Sequence, residues 1–336
     1  MTTVLYPEGK EFYPDDAVER AALGPDVKII QREVLRIADL SDQDCAEADG
    51  LCTFRVPVGR ADLPRFPRLK AMVRMGVGYD ILDRAAAAER GILVCNIPDY
   101  GTMEVADMAM AHVLALRRGL ALYFDTQRGD QPAEWAKIAS PLVRRLNIQR
   151  FGIVGLGRIG TAVAHRAKAF GFEVSFYDPY RPPGWDRANL INRANTLEEL
   201  LRQSDVVSVH CPLTPETRGM LGLEQLRMMP KDAILVNTAR GPIVDIEAVT
   251  TVLREGHLAG VGLDVIPVEP VVEPVPDLIR AYRAREPWLT GRLIVTPHIG
   301  YHSPQAFDDI RSKSAETIAA ALLSNRPQNV IPPESF

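Results

Sequence analysis

An arginine, a glutamate and a histidine stand far apart in this chain of 336 residues, each in a setting where it could do chemistry. Arg240 follows the apolar run LVNTA and precedes a glycine. A guanidinium there can grip a carboxylate through two parallel hydrogen bonds and keeps its charge at any working pH. His298 lies in VTPHIG, and Glu269, in VEP, is a candidate partner for it. A carboxylate bonded to one imidazole nitrogen fixes the tautomer and favours the protonated ring. Such a ring can hand a proton to a carbonyl oxygen, which is what reduction of a ketone requires. Of the remaining histidines, His210 reads as the lining of a cofactor pocket, and His112, His165, His257 and His302 read as rim residues.

A cofactor is implied by FGIVGLGRIG, residues 151–160. Gly155, Gly157 and Gly160 fit G-x-G-x-x-G, after an apolar run that reads as a strand and before IGTAVAHRAKAFG, which reads as a helix. Gly155 permits the tight turn, Gly157 lets backbone approach a pyrophosphate, and Gly160 allows close helix–strand packing. The helix N-terminus, with Arg158 and Ile159, then offers free amides to the phosphates. Asp178 ends the next strand, FEVSFYD, where a carboxylate accepts hydrogen bonds from an adenosine ribose diol. The same charge repels a 2′-phosphate, so NAD is expected over NADP, a preference that Arg181 slightly weakens.

These residues need a scaffold that brings them to one place. The first hundred residues alternate short apolar runs (TVLYP, VKII, GLCTF, KAMVRMG, GILVCN) with helical patterns. From residue 151 the rhythm repeats, with strands expected at 151–154, 172–177, 205–210, 233–237, 260–264 and 293–296. Strands alternating with helices imply parallel sheets covered on both faces. Ligands bind such sheets outside the carboxyl ends of the strands. The polar residues that interrupt the apolar runs fall at those ends: Asp178, His210, Asn237 to Arg240, Asp264, and Thr296 to His298. In MVRMGVGYD, Gly76 and Gly78 flank Val77 just after a strand, forming either a small anion-binding nest or a plain turn. Residues 102–118 read as a helix that is apolar nearly all round and therefore buried, with a subunit interface favoured. Residues 305–323 read as an amphipathic helix, and 266–292 as a long loop with one short helix. The role of the 271–292 part of that loop is left open by the sequence, between covering the pocket and contacting another subunit.

Composition narrows the partners. A formal net charge of −4 argues against nucleic acid, which demands a basic surface. Cys45, Cys52, Cys95 and Cys211 form no C-x-x-C, supporting neither a disulfide framework nor a metal site and suiting a reducing cytoplasm. The N-terminal residues lack the pattern of a signal peptide, and the most apolar helical stretch, MEVADMAMAHVLAL, is too short and polar to span a membrane.

In order and spacing, MGVGYDILD, GLGRIG, YDP, HCPLTPET, VNTARG, GLDVIPVEP and TPHIG resemble the successive signatures of the D-isomer-specific 2-hydroxyacid dehydrogenases. The resemblance implies two doubly wound α/β domains, Rossmann-like and flavodoxin-like, with the cofactor domain inserted into the substrate domain. It places an NAD-binding domain at 101–302 and a discontinuous substrate domain at 1–100 plus 303–336. It implies catalysis by Arg240, Glu269 and His298, substrate binding by the amides of Val77 and Gly78, and a nicotinamide carboxamide held by Asp264. Thr214, Thr238 and Gly300, in the same motifs, are assigned to the cofactor side. The helix at 102–118 is implied to dimerise the chains. The nearest branch is similar to the C-terminal-binding proteins, which adds Arg74 and Tyr301 as substrate contacts; Tyr301 stands where that branch often has Trp. The expected activity is NADH-dependent reduction of a 2-oxoacid to the (R)-2-hydroxyacid, and the reverse. The alternative is an NAD(H)-sensing binding module with little turnover.

Overall fold

Apolar runs too short for helices become the strands of two sheets whose strands pair in parallel, with one isolated antiparallel bridge, Cys95 to Val330, at an edge. The computed structural model describes residues 1–8, 15–128 and 135–333. The chain divides into two compact units, Met1–Tyr100 with Ser303–Phe336, and Gly101–His302.

The first unit holds β1 (Thr3–Tyr6), β2 (Lys28–Gln31), β3 (Gly50–Thr53), β4 (Ala71–Arg74) and β5 (Leu93–Asn96). Their order, β2-β1-β3-β4-β5, is the flavodoxin-like winding. The helix Pro304–Leu322 packs on β3, β4 and β5 and on the helix Ala17–Leu23. It starts where the sequence supplies both signals: Ser303 accepts the Ala306 amide and Pro304 opens the first turn. Its Arg311 makes a two-pronged contact with Glu19, Nε to Oε1 at 2.9 Å and Nη2 to Oε2 at 2.7 Å, and both side chains are buried.

The second unit holds β6 (Arg150–Val154), β7 (Glu173–Tyr177), β8 (Asn192–Arg193), β9 (Val206–Val209), β10 (Ile234–Asn237), β11 (Gly260–Leu263) and β12 (Leu293–Val295). In the order β12-β11-β10-β9-β6-β7-β8 the winding reverses at β6, whose neighbours are β7 on one side and β9 on the other. A strand's side chains alternate between faces, and here both faces are dry. Phe151, Ile153, Ile234 and Val236 share one core with the helices Thr102–Arg117 and Arg158–Ala169. Val207, Val209, Leu235 and Val261 share the other with the helices Leu197–Gln203 and Ile246–Arg254.

One expectation changes in this unit. The helix Thr102–Arg117 buries Ala106, Ala109, Met110, Val113 and Leu116 within its own unit and leaves Met103, Asp107 and Ala111 outward. His112 is therefore no rim residue: it is on the inward side, 3% exposed, because the helical period sets it beside Ala109 and Leu116. His165 and His302 are exposed, and His257 is half-buried. The long segment after β11 carries the helix Asp277–Arg283, and its Leu278, Ala281 and Leu289 belong to the core of the same unit.

The Glu19–Arg311 pair gives a stability test. Arg311→Met leaves a carboxylate buried without its cation and is expected to cost about 3 kcal/mol. Urea denaturation followed by circular dichroism measures it, with Glu19→Gln/Arg311→Met expected to recover part of the loss.

Candidate active site

The turn between β6 and the helix Arg158–Ala169 is built by what its glycines lack. Gly155 has φ +90°, and a Cβ there would lie 2.7 Å from the Cys211 nitrogen. A Cβ on Gly160 would strike the Gly155 carbonyl oxygen at 2.1 Å. Gly157 differs: a Cβ there would meet only Arg181 Nη2, at 3.8 Å. The protein's own packing does not demand glycine at 157, whereas close approach of a phosphate-bearing ligand to the backbone does. Asp178, at the end of β7, accepts the Leu156 amide on Oδ2 at 2.8 Å and the Tyr180 amide on Oδ1 at 3.0 Å. It thus braces the glycine turn, a duty the sequence reading did not assign. Arg181 Nε stands 3.5 Å from the same carboxylate.

His210 lies where β9 ends and its amide donates to the Val154 carbonyl. Its Nε2 is 2.8 Å from Ser208 Oγ, and burial pushes its imidazolium down to about 3, so the ring is neutral and suited to lining rather than proton transfer. Thr238, just past β10, keeps a buried hydroxyl with no partner among the described residues. Thr214 closes a turn in which its amide donates to Thr217 Oγ1. The glycine turn, Asp178, the neutral His210 and the unpartnered Thr238 hydroxyl fit a dinucleotide along this edge of the sheet.

The Glu269–His298 pair stands on the same sheet. Asp264 follows β11, and its amide donates to the Asn237 carbonyl. The Asn237 side chain in turn accepts the Ala239 amide and donates to the Arg240 carbonyl. The turn carrying Arg240 and the turn at 264–267 press so closely that a Cβ on Gly241 would fall 2.0 Å from Ile266 carbonyl carbon. Glycine is therefore compulsory after Arg240. Glu269 accepts the Ile266 amide on Oε1 at 2.8 Å and meets His298 Nδ1 with Oε2 at 2.6 Å. A carboxylate only accepts, so Nδ1 carries the hydrogen and Nε2 is left as the atom that can exchange a proton. Burial works to raise the Glu269 carboxyl, but the bond and charge of His298, the Ile266 amide and the charge of Arg240 together hold it below its ordinary value. The carboxylate therefore keeps its charge through mildly acidic solution, and the pair fails only as pH falls through that depressed value.

His298 itself has φ +54°, a left-handed conformation that costs a residue with a Cβ roughly 1 kcal/mol or more. Asp264 secures it. Its carbonyl accepts the His298 amide at 2.7 Å, and its carboxylate accepts Thr296 Oγ1, the Ile299 amide and the Gly300 amide. Gly300 thus enters the site through its amide, and the Tyr301 ring lies edge-on to His302. Tyr301 is half-buried.

Arg74, Val77 and Gly78 lie in the other unit. The Val77 carbonyl accepts Asn96 Nδ2 at 2.7 Å, and the Arg74 guanidinium lies 5.4 Å from the centre of the Phe54 ring. None of residues 76–78 adopts a left-handed φ, so the turn is not a nest of alternating handedness. The Val77 and Gly78 amides donate to no backbone carbonyl among the described residues. Among the described residues, no group of His, Cys, Asp and Glu could hold a metal ion, and no helix is long and apolar enough to cross a membrane.

Residues 110–300 match the family model described as D-isomer specific 2-hydroxyacid dehydrogenase, NAD binding domain. A glyoxylate reductase of Korarchaeum cryptofilum is 36% identical over 294 residues, 87% of this chain and 82% of that protein. A glycerate dehydrogenase of Methylorubrum extorquens is 35% identical over 280 residues, 82% of this chain and 83% of its own length. The crystal structure of D-lactate dehydrogenase from Aquifex aeolicus, complexed with NAD and lactic acid, superposes with a TM-score of 0.80 at 26% identity, covering 99% of this chain and all of that one.

The Asp178–Arg181 pair sets a binding test read by quenching of protein fluorescence. Asp178→Ala is expected to weaken NADH binding about tenfold, since it removes a charged acceptor and the brace on Leu156. Arg181→Ala is expected to weaken NADPH more than NADH, because only the former carries the additional phosphate.

Proposed function

The chain belongs to the D-isomer specific 2-hydroxyacid dehydrogenases, NAD-dependent enzymes that interconvert 2-oxoacids and 2-hydroxyacids, and we propose that its reaction is carried by Arg240, Glu269 and His298 on a short 2-oxoacid. The observation that carries this reading is the 2.6 Å contact of Glu269 with His298 Nδ1, which leaves Nε2 as the exchangeable position. NAD(H), when bound, supplies the hydride to C2 of the oxoacid or takes it back. Gly155, Gly157, Arg158, Ile159, Gly160, Asp178, His210, Thr214, Thr238 and Gly300 would hold it, and Asp264, whose Oδ2 accepts the Gly300 amide, is assigned to the nicotinamide carboxamide.

In the direction of reduction, Arg240 binds the substrate carboxylate and keeps its carbonyl polarised. His298 gives its Nε2 proton to the carbonyl oxygen as charge develops there, and Glu269 stabilises the imidazolium before the transfer and orients the neutral ring after it. In oxidation the neutral ring takes the hydroxyl proton. The Val77 and Gly78 amides are assigned as further carboxylate donors, and Arg74 and Tyr301 as contacts to the rest of the substrate. The discontinuous unit is assigned to substrate and the 101–302 unit to the cofactor. Glyoxylate and hydroxypyruvate head the substrate panel, the first because a relative at 36% identity is named for it and the second as the oxoacid that corresponds to glycerate. NAD is assigned over NADP on the charge of Asp178, tempered by Arg181.

The protein is further assigned to the cytoplasm, on four cysteines that are all free, and to a homodimer formed through the helix Thr102–Arg117. Met103 on that helix, with Leu120 and Phe124 just beyond it, exposes apolar surface of the kind an interface covers. Light scattering coupled to size exclusion tests the dimer, and Met103→Glu/Phe124→Glu is expected to shift it to monomer.

Two variants test the chemistry, read as NADH consumption across glyoxylate, hydroxypyruvate, pyruvate, and branched and aromatic oxoacids. His298→Ala is expected to lower kcat by about a hundredfold or more, and turnover near that of the wild type would overturn the assignment. Reduction needs the Glu269 carboxylate, so its rate declines on the acid side as pH falls through the depressed Glu269 value. Glu269→Gln removes that group, and the acid limb is expected to disappear together with much of the rate. An acid limb that persists in Glu269→Gln would count against Glu269.

A further inference from the structure

Outside the residues assigned to substrate and cofactor, one buried group is wired to the catalytic turn. His112 lies inside the second unit, and its Nε2 is 3.2 Å from Thr296 Oγ1. That hydroxyl is 2.5 Å from Asp264 Oδ1. Thr296 has a single hydroxyl proton, and a carboxylate only accepts, so the proton points at Asp264. The Thr296 oxygen must then receive from His112, which makes His112 the Nε2–H tautomer with a bare Nδ1. The structure agrees at the other side of the ring. Nδ1 is buried and has no partner among the described residues, and it lies against Gly262 of β11, where a Cβ would come within 2.7 Å of it. Burial, outweighing the nearby Asp264 charge, holds the ring neutral, so it has one N–H to give.

Asp264 is the hub of the turn that presents His298, through four acceptor contacts: Thr296 Oγ1 and the amides of Ile299 and Gly300 on its carboxylate, and the His298 amide on its carbonyl. The left-handed His298 needs such anchoring. We propose that His112 is a positioning residue for His298: by donating to Thr296 it commits that hydroxyl to Asp264 and so fixes the 296–300 turn. The proposal rests on the reading of His298 as the acid–base group for its consequence in catalysis, but the mechanical link is independent of that reading. An apolar residue at 112 would fill the same volume without directing the hydroxyl, leaving Thr296 free to rotate away and Asp264 short of a donor.

Hydrogen exchange by mass spectrometry on the cofactor-free protein reads the link directly, in peptides spanning 296–302. His112→Leu and Thr296→Val are each expected to speed exchange of this segment about three- to tenfold, the value of one buried hydrogen bond. His112→Gln, whose Nε2 can still donate, is expected to restore most of the protection. The double variant His112→Leu/Thr296→Val is expected to exchange no faster than Thr296→Val alone, because both act on one chain of bonds. In turnover, His112→Leu is expected to lower kcat by a similar factor with KM for the oxoacid within about twofold, the mark of a misplaced proton donor rather than a lost contact. Protection in His112→Leu equal to wild type would overturn the proposal. So would a Gln variant as fast as Leu, additive effects in the double variant, or faster exchange spread equally over the helix Ile246–Arg254, since each describes general packing. A wild-type protein that reduces no oxoacid would refute the catalytic reading of His298 and leave the exchange result to decide this link by itself.

Discussion

A carboxylate with too many donors to move, that of Asp264, is what the geometry of the proposed acid–base pair depends on. It stands where β11 runs out, and its contacts wind the following segment around it. A left-handed histidine would relax if the turn were free. Anchored at Thr296, Ile299 and Gly300, it has one place to stand, and that place puts Nδ1 against Glu269. Desolvation of Asp264 is offset by these bonds, so the site gains rigidity at a point where an unpaired charge would have been costly.

The same economy governs the cofactor side. Asp178 is read from the sequence as a contact for the ribose, yet in the protein it also accepts the Leu156 amide inside the glycine turn. One side chain couples the end of β7 to the turn after β6, so the adenosine end of the site is shaped by the group that would read it. Arg181 beside it places a cation close to Gly157. On the proposed reading, the residue that braces the turn would also select the cofactor, and the cation beside it would make that preference a matter of balance rather than exclusion.

Much of this was legible in residue order. The alternation of apolar runs and helical patterns gave two parallel sheets, because only crossover connections can follow strands with that spacing. Strand ends are where apolar runs give way to polar residues, and so Asp178, His210, Arg240, Asp264 and His298 can be named from residue order alone. His112 could not. On the sequence it is one polar residue in the apolar stretch MAMAHVLAL, and its partner, Thr296, lies 184 positions away. The Glu19–Arg311 pair escaped for the same reason, with 292 positions between its members.

The sequence by itself determined the class of fold, the dinucleotide turn and the chemical types at the strand ends, since these follow from periodicity and from what glycine alone permits. It also carried the family likeness that the relatives bear out. Tertiary structure decided which atoms meet: that Glu269 takes Nδ1 and leaves Nε2, that Gly241 lets the Arg240 turn close on Ile266, and that a helix more than a hundred and fifty residues upstream donates to the turn bearing His298. Local propensity fixes backbone periods, but a hydrogen bond between distant residues exists only when packing sets both in one dry space, and no pattern along the chain records that.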